Sequence, residues 1–188
     1  MRPPDEILIL LAPRRAYARL AATPVSYIPY YVLFLSLLIG ACASYSATQR
    51  VTLSLLLSLS VSWMFVPFLH VLVAGALVAW AKGSKLRGNR AIALLLMGHA
   101  PWSLWLILAS AGTGTFGYDA YFWMLLLALL PIALTIRIVH AFCVEVLGAT
   151  GRRAMKLTLA HQAVTWFLAA MYLDRAVSLV PRIIGWLS

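Results

Sequence analysis

The sequence predicts an all-α integral membrane protein with five transmembrane helices and a short N-terminal interfacial helix. Three observations predict it. Hydrophobic residues make up 63% of the 188-residue chain. Charged residues make up only 11%, where a soluble domain carries about 25%. Long uncharged stretches recur, and about 20 apolar residues in a helix cross a ~30 Å hydrocarbon core. A soluble globule built from this composition lacks the polar side chains to cover its surface. Disorder, collagen and a disulfide scaffold are excluded by the same numbers.

Residues 1–27 form a cytoplasmic N-terminal segment. Within it, Pro13 to Ala22 reads as a short helix, because proline suits a first helical position. Arg14, Arg15 and Arg19 make a basic face, while Tyr17 and Leu20 point elsewhere. Such a helix is expected to lie on the inner leaflet, where anionic lipids attract Lys and Arg. Acidic residues and Pro13 interrupt the N-terminal apolar stretch, so no cleavable signal peptide is expected. The first span follows Pro24 and covers residues 28–48, ending before Arg50. The uncharged run from Val51 to Ala81 is 31 residues long. As a helix that is roughly 46 Å, too long for one crossing and too short for two with a turn. It predicts one long helix over 53–81, tilted or kinked near Pro67. Its Ser-rich start (Ser54, Ser58, Ser60, Ser62) is placed at the interface. The third span covers 91–111 with a kink at Pro101, the fourth 118–147 and the fifth 157–173. Small residues such as Gly40, Ser44, Gly75 and Ala79 suit close helix packing. The tail, 174–188, is read as exoplasmic and lying on the outer interface, with Pro181 opposing one uninterrupted helix.

The net charge of +10 would suggest nucleic acid in a soluble protein. Here its distribution gives a different cause, and no nucleic-acid partner is expected. Arg2, Arg14, Arg15, Arg19, Lys82, Lys85, Arg87, Arg90, Arg152, Arg153 and Lys156 all fall on one side of the five-span layout. Only Arg50, Arg175 and Arg182 fall on the other, and Arg137 sits within the fourth span. The positive-inside rule then sets a cytoplasmic N-terminus and an exoplasmic C-terminus. Topology alone suffices to place these charges. They are also the candidate binders of anionic headgroups or an acidic partner: Arg14, Arg15, Arg19, Lys82, Lys85, Arg87, Arg90, Arg152, Arg153 and Lys156. The loop from Lys82 to Arg90 is compact, and its glycines permit tight turns.

Motifs for chemistry are sparse. Gly112-Thr-Gly114-Thr-Phe-Gly117 matches G-x-G-x-x-G in letters. Dinucleotide binding needs that pattern between a strand and a helix, so the segment is read as a flexible connector between spans three and four. Intramembrane polar residues are functional candidates by default: His70, His99, Arg137, His140 and His161. Their spacing is not that of a local metal motif, and interhelical hydrogen bonding accounts for such residues. His70 and His99 are placed deep, His140 and His161 at headgroup level. Cys42 and Cys143 fall in opposite leaflets, too far apart for a disulfide. No zinc-protease motif, Walker loop or nucleophile elbow occurs. The five acids (Asp5, Glu6, Asp119, Glu145, Asp174) do not pair deep in a span, which disfavours a carboxylate-driven transporter. The two halves do not mirror each other as inverted repeats would. No catalytic residue, metal or cofactor is assigned.

Two segments carry a family resemblance. Pro13-Arg-Arg-Ala-Tyr17-Ala-Arg-Leu20, with Pro24 before the first span, resembles the Yip family of Rab/Ypt-interacting membrane proteins in its bacterial branch. So does Gly83-Ser-Lys-Leu-Arg-Gly-Asn-Arg-Ala-Ile leading into Gly98-His99-Ala100-Pro101. The chain departs from the family pattern at His99, where a Tyr is usual, and in the shorter interval to Pro101. The resemblance implies five spans, a cytoplasmic N-terminus and a non-enzymatic role in membrane organisation. It does not carry Rab binding over, because the long soluble N-terminal region of many eukaryotic relatives is absent.

The reading that follows is a non-enzymatic scaffold or accessory protein of a bacterial inner membrane, with a basic cytoplasmic face for anionic lipid or a partner. One alternative is a small accessory subunit of a larger membrane complex, an energy-transducing one included. Another is a transporter or a haem- or metal-binding membrane protein that uses the intramembrane histidines.

Overall fold

The computed structural model describes residues 5–21, 27–81, 88–116 and 119–167, and these are helical with no strands. In chain order the helices are α1 (Asp5–Leu11), α2 (Pro13–Leu20), α3 (Ile28–Thr48), α4 (Leu53–Trp63), α5 (Phe65–Trp80), α6 (Gly88–Leu96), α7 (Ala100–Phe116), α8 (Asp119–Leu127) and α9 (Leu129–Glu145). A further helix, α10, occupies 151–167. One 3-10 turn, Met97–His99, joins α6 to α7.

Four stretches are long and apolar enough to cross a membrane: Ile28–Thr48, Leu53–Trp80, Gly88–Phe116 and Phe122–Glu145. The protein is a multi-pass, all-α membrane protein in these terms. The first stretch has the predicted bounds. The second is interrupted at Met64, the third through Met97–His99 and the fourth at Ala128. Each interruption precedes a proline by three residues: Pro67, Pro101 and Pro131. Proline has no N–H and its ring clashes with the carbonyl four residues earlier. Those carbonyls belong to Trp63, Met97 and Leu127. Accordingly α4 ends at Trp63, the 3-10 turn starts at Met97 and α8 ends at Leu127.

The third stretch runs on to Phe116, five residues beyond its expected end. The expected flexible connector at Gly112–Gly117 is therefore corrected as far as Phe116. Gly112 and Gly114 are helical and buried. A Cβ on Gly112 would lie 2.5 Å from the Met124 methyl, and one on Gly114 would strike the Tyr45 ring. These glycines serve close packing of α7 against α8 and α3 rather than flexibility. Residues 118 and 168–188 lie outside the described residues, and with them the rest of the expected fifth span and the C-terminal tail. Of that span, α10 supplies the part up to 167, and it starts at 151 rather than 157.

The third stretch is the central one: 56% of its most apolar window is buried, against 24–28% in the other three. Around it the chain packs as α3 on α4, α5 and α7, α5 on α6, α7 on α8 and α2 on α9. At Gly40 α3 and α4 approach closely, since a Cβ there would lie 2.7 Å from the Ser60 backbone nitrogen. Of the Ser-rich start of this span, Ser60 is buried between helices and Ser54 is exposed. Of the other expected packing residues, Ser44 is buried, Gly75 meets only Ile92 at an ordinary 3.6 Å, and Ala79 is exposed. Ser110 donates to the Cys42 carbonyl at 2.7 Å and contacts the Ser46 hydroxyl at 3.0 Å, joining α3 to α7. Just ahead of α10, Gly148 (φ 65°) ends α9 in a left-handed turn closed by Ala149 N–H donating to the Cys143 carbonyl at 2.9 Å. Cys42 and Cys143 are both free and buried.

Candidate functional site

The N-terminal segment forms one wall of the candidate site. Apolar Ile7–Leu11 folds as α1, a helix the sequence did not suggest, and Ala12 N–H continues it by donating to the Leu8 carbonyl at 2.8 Å. Pro13 then restarts the chain as α2. The period of 3.6 puts Pro13, Ala16, Tyr17 and Leu20 on a buried face and Arg14, Arg15 and Arg19 on an exposed one. The expected basic face is present, and the opposite face lies on protein: Tyr17 meets Phe142 of α9 edge-on, with ring centroids 5.7 Å apart. Gly98 makes room for this ring, since a Cβ there would lie 3.1 Å from the Tyr17 hydroxyl and 2.6 Å from Ile138. Burial, and secondarily Cys143, raise the Tyr17 phenol above its ordinary range, so it stays neutral.

Among the described residues three arginines donate to carbonyls at helix C-termini. Arg137 Nη2 donates to Leu11 O at 2.8 Å at the end of α1. Arg90 Nη2 donates to Ala21 O at 2.6 Å, the C-cap of α2. Arg153 donates to Ala81 O, the C-cap of α5. The last carbonyls of a helix lack intrahelical partners and carry the negative end of its dipole, so a guanidinium serves both needs. Arg137, expected within the fourth span near its inner boundary, is exposed and caps α1. Arg19 pairs with Asp5. Arg152 and Lys156 are exposed on the first turns of α10. Lys82, Lys85 and Arg87 lie outside the described residues.

Beside these caps, α2, α9 and α10 enclose a groove of about 440 Å³. Arg14 and Arg15 line it from α2, and Arg137 and His140 from α9. Ile136 and Met155 are among its apolar walls. Residues 133, 136, 137 and 140 fall at helical spacing, so one stripe of α9 presents them together. No carboxylate lines the groove among the described residues.

A second polar assembly lies between α3, α5, α10 and the 3-10 turn. Tyr31 is fully buried, and its hydroxyl hydrogen bonds His70 Nδ1 at 2.5 Å. Its ring meets His99 edge-on at 5.2 Å between centroids. His99 Nδ1–H donates to the Leu96 carbonyl at 2.9 Å, with the Tyr27 hydroxyl 3.5 Å away. His161 sits 5.9 Å from His70 between ring centroids and is only 4% exposed. His161, expected at headgroup level and apart from His70, thus groups with His70, ten residues into α10, while His140 joins the basic groove. Neither His161 ring nitrogen has a hydrogen-bond partner among the described residues. No group of three His, Cys, Asp or Glu side chains there is placed to hold a metal ion. Sequence reasoning missed Tyr27 and Tyr31 as partners of these histidines. Their four-residue spacing at the start of α3 was the available signal, since it puts both rings on one helical face.

No protein-family model, curated protein or solved structure matches this chain.

Proposed function

We propose that this chain is a non-enzymatic scaffold or accessory protein of a bacterial inner membrane, and that its basic end holds anionic headgroups or an acidic partner. The reading takes five spans, an N-terminus in the cytoplasm and a C-terminus outside, as the resemblance to the Yip family also implies. The observation that carries it is the groove on which Arg14, Arg15, Arg137 and His140 converge, with Arg152 and Lys156 exposed on the first turns of α10. Among the described residues, Arg14, Arg15, Arg152 and Lys156 cap no helix as Arg90, Arg137 and Arg153 do. Exposed Lys and Arg next to an anionic leaflet contribute about 1 kcal/mol each. Reversing Arg14, Arg15, Arg152 and Lys156 to Glu is expected to abolish the enrichment of anionic over zwitterionic lipid in protein extracted from native membranes. Unchanged lipid enrichment, with no acidic partner lost on crosslinking, refutes the reading.

The Tyr27–Tyr31–His70–His99–His161 assembly favours a second reading, a transporter or haem- or metal-binding protein. Polar side chains gathered inside a membrane bundle are costly unless partnered or used. Metal analysis and a haem absorbance scan of the purified protein decide it, and a blank result in both with no solute flux in proteoliposomes removes it.

A further inference from the structure

We propose that the groove between α2, α9 and α10 is a seat for the phosphate of an anionic phospholipid, with Arg14, Arg15, Arg137 and His140 as its donors. The proposal deepens the lipid-binding reading above and rests on it. Charge is the first argument. Three guanidinium groups and an imidazole converge on one groove, and no described carboxylate lines it. Asp5 is already paired with Arg19, and Glu145, five residues beyond His140, does not line the groove. Geometry is the second. The bond from Arg137 Nη2 to the Leu11 carbonyl fixes that guanidinium at the groove. A guanidinium has five N–H donors in a planar fork, so the rest stay free for a phosphate. The third is the pairing of charge with apolar walls. Ile136 and Met155 flank the cationic groups, and Leu129 and Leu130 are more than 60% exposed farther along α9. A phospholipid satisfies both surfaces at once, headgroup on arginines and acyl chain along α9. Inorganic phosphate gains nothing from the walls. A choline or ethanolamine headgroup brings its own cation against the arginines, so a net anionic lipid is preferred. The volume of about 440 Å³ is in the range of small-molecule sites.

The test uses full-length protein in mild detergent, titrated separately with phosphatidylglycerol, phosphatidylcholine and inorganic phosphate. Native mass spectrometry reads occupancy. The wild type is expected to bind phosphatidylglycerol in preference to phosphatidylcholine. Arg14→Gln/Arg15→Gln is expected to weaken that binding about tenfold, the scale of charge-assisted hydrogen bonds lost. Met155→Glu, at an exposed wall position that caps no helix, is expected to weaken it comparably. Arg152→Gln/Lys156→Gln, on the basic face but outside the groove lining, is expected to weaken it severalfold less than the Arg14/Arg15 pair. Equal weakening by both pairs overturns the groove while leaving the general basic face intact. Loss in neither pair removes the groove and the broader lipid reading together. Phosphate binding without preference for the anionic lipid also overturns the proposal.

Discussion

Arg90, Arg137 and Arg153 show why a basic residue in a membrane protein carries more than orientation. Each reaches a carbonyl that its helix cannot satisfy, on α2, α1 and α5 respectively. Positive-inside bias places such residues near helix ends, and helix ends are where the orphan carbonyls are. Tyr17 makes the complementary point about apolar contact. Its ring is fully buried against Phe142, yet its hydroxyl has no hydrogen-bond partner among the described residues. Tyr17→Phe removes only that hydroxyl and is expected to leave thermal stability in detergent unchanged or raised. Tyr17→Ala leaves a cavity and is expected to cost about 3–5 kcal/mol, seen as a lower melting temperature. If Phe destabilises as Ala does, the hydroxyl rather than the ring anchors α2.

Prolines and glycines set the elements. Pro67, Pro101 and Pro131 divide three long apolar stretches by one rule, the loss of the bond to the carbonyl four residues back. The 3-10 turn ahead of Pro101 is also what presents His99 to Tyr31 and Tyr27. The α3–α4 contact depends on Gly40, because behind the nearest atom, the Ser60 hydroxyl, stand backbone atoms that cannot move aside cheaply, Ser60 N at 2.7 Å and Leu56 O at 2.9 Å. Gly75 faces the end of the Ile92 side chain at 3.6 Å. Gly40→Ala is therefore expected to destabilise by about 1–3 kcal/mol, the usual range for overpacking. Gly75→Ala is expected to be near neutral. Detergent-solubilised melting curves of the two variants check the contrast, and equal shifts would contradict the packing shown by α3 and α4.

At the scale of the whole molecule, large apolar side chains face outward along most of its length. Leu33, Leu72, Leu108, Phe122, Leu130 and Phe167 are all more than 60% exposed. Water does not tolerate so extensive an apolar surface on a monomer, whereas acyl chains do. If five spans are right, the two termini lie on opposite sides of the membrane. A reporter at Ser188 that works only outside the cytoplasm is then expected to be active. Activity of a cytoplasmic reporter there would favour an even number of crossings.

The first span is read correctly from the sequence to its end residues, because a 21-residue apolar run between Pro24 and Arg50 has one way to cross a bilayer. The prolines announce the helix breaks near Pro67 and Pro101 as well, since their effect is local and covalent. The sites are less legible. Arg137 and His140 form a readable stripe on α9, but Arg14 and Arg15 join them only because α1 and α2 fold back onto that helix. Likewise, counting residues from a span boundary puts His161 at the headgroups, whereas helix packing sets it beside His70. The glycines of Gly112–Gly114 read as a loop and act as packing surface. Hydropathy and backbone chemistry are properties of short segments, so the sequence alone determined a helical, multi-pass membrane protein, its first span and the breaks near Pro67 and Pro101. Which polar side chains meet depends on how distant helices rotate and abut, and only the tertiary structure decided that.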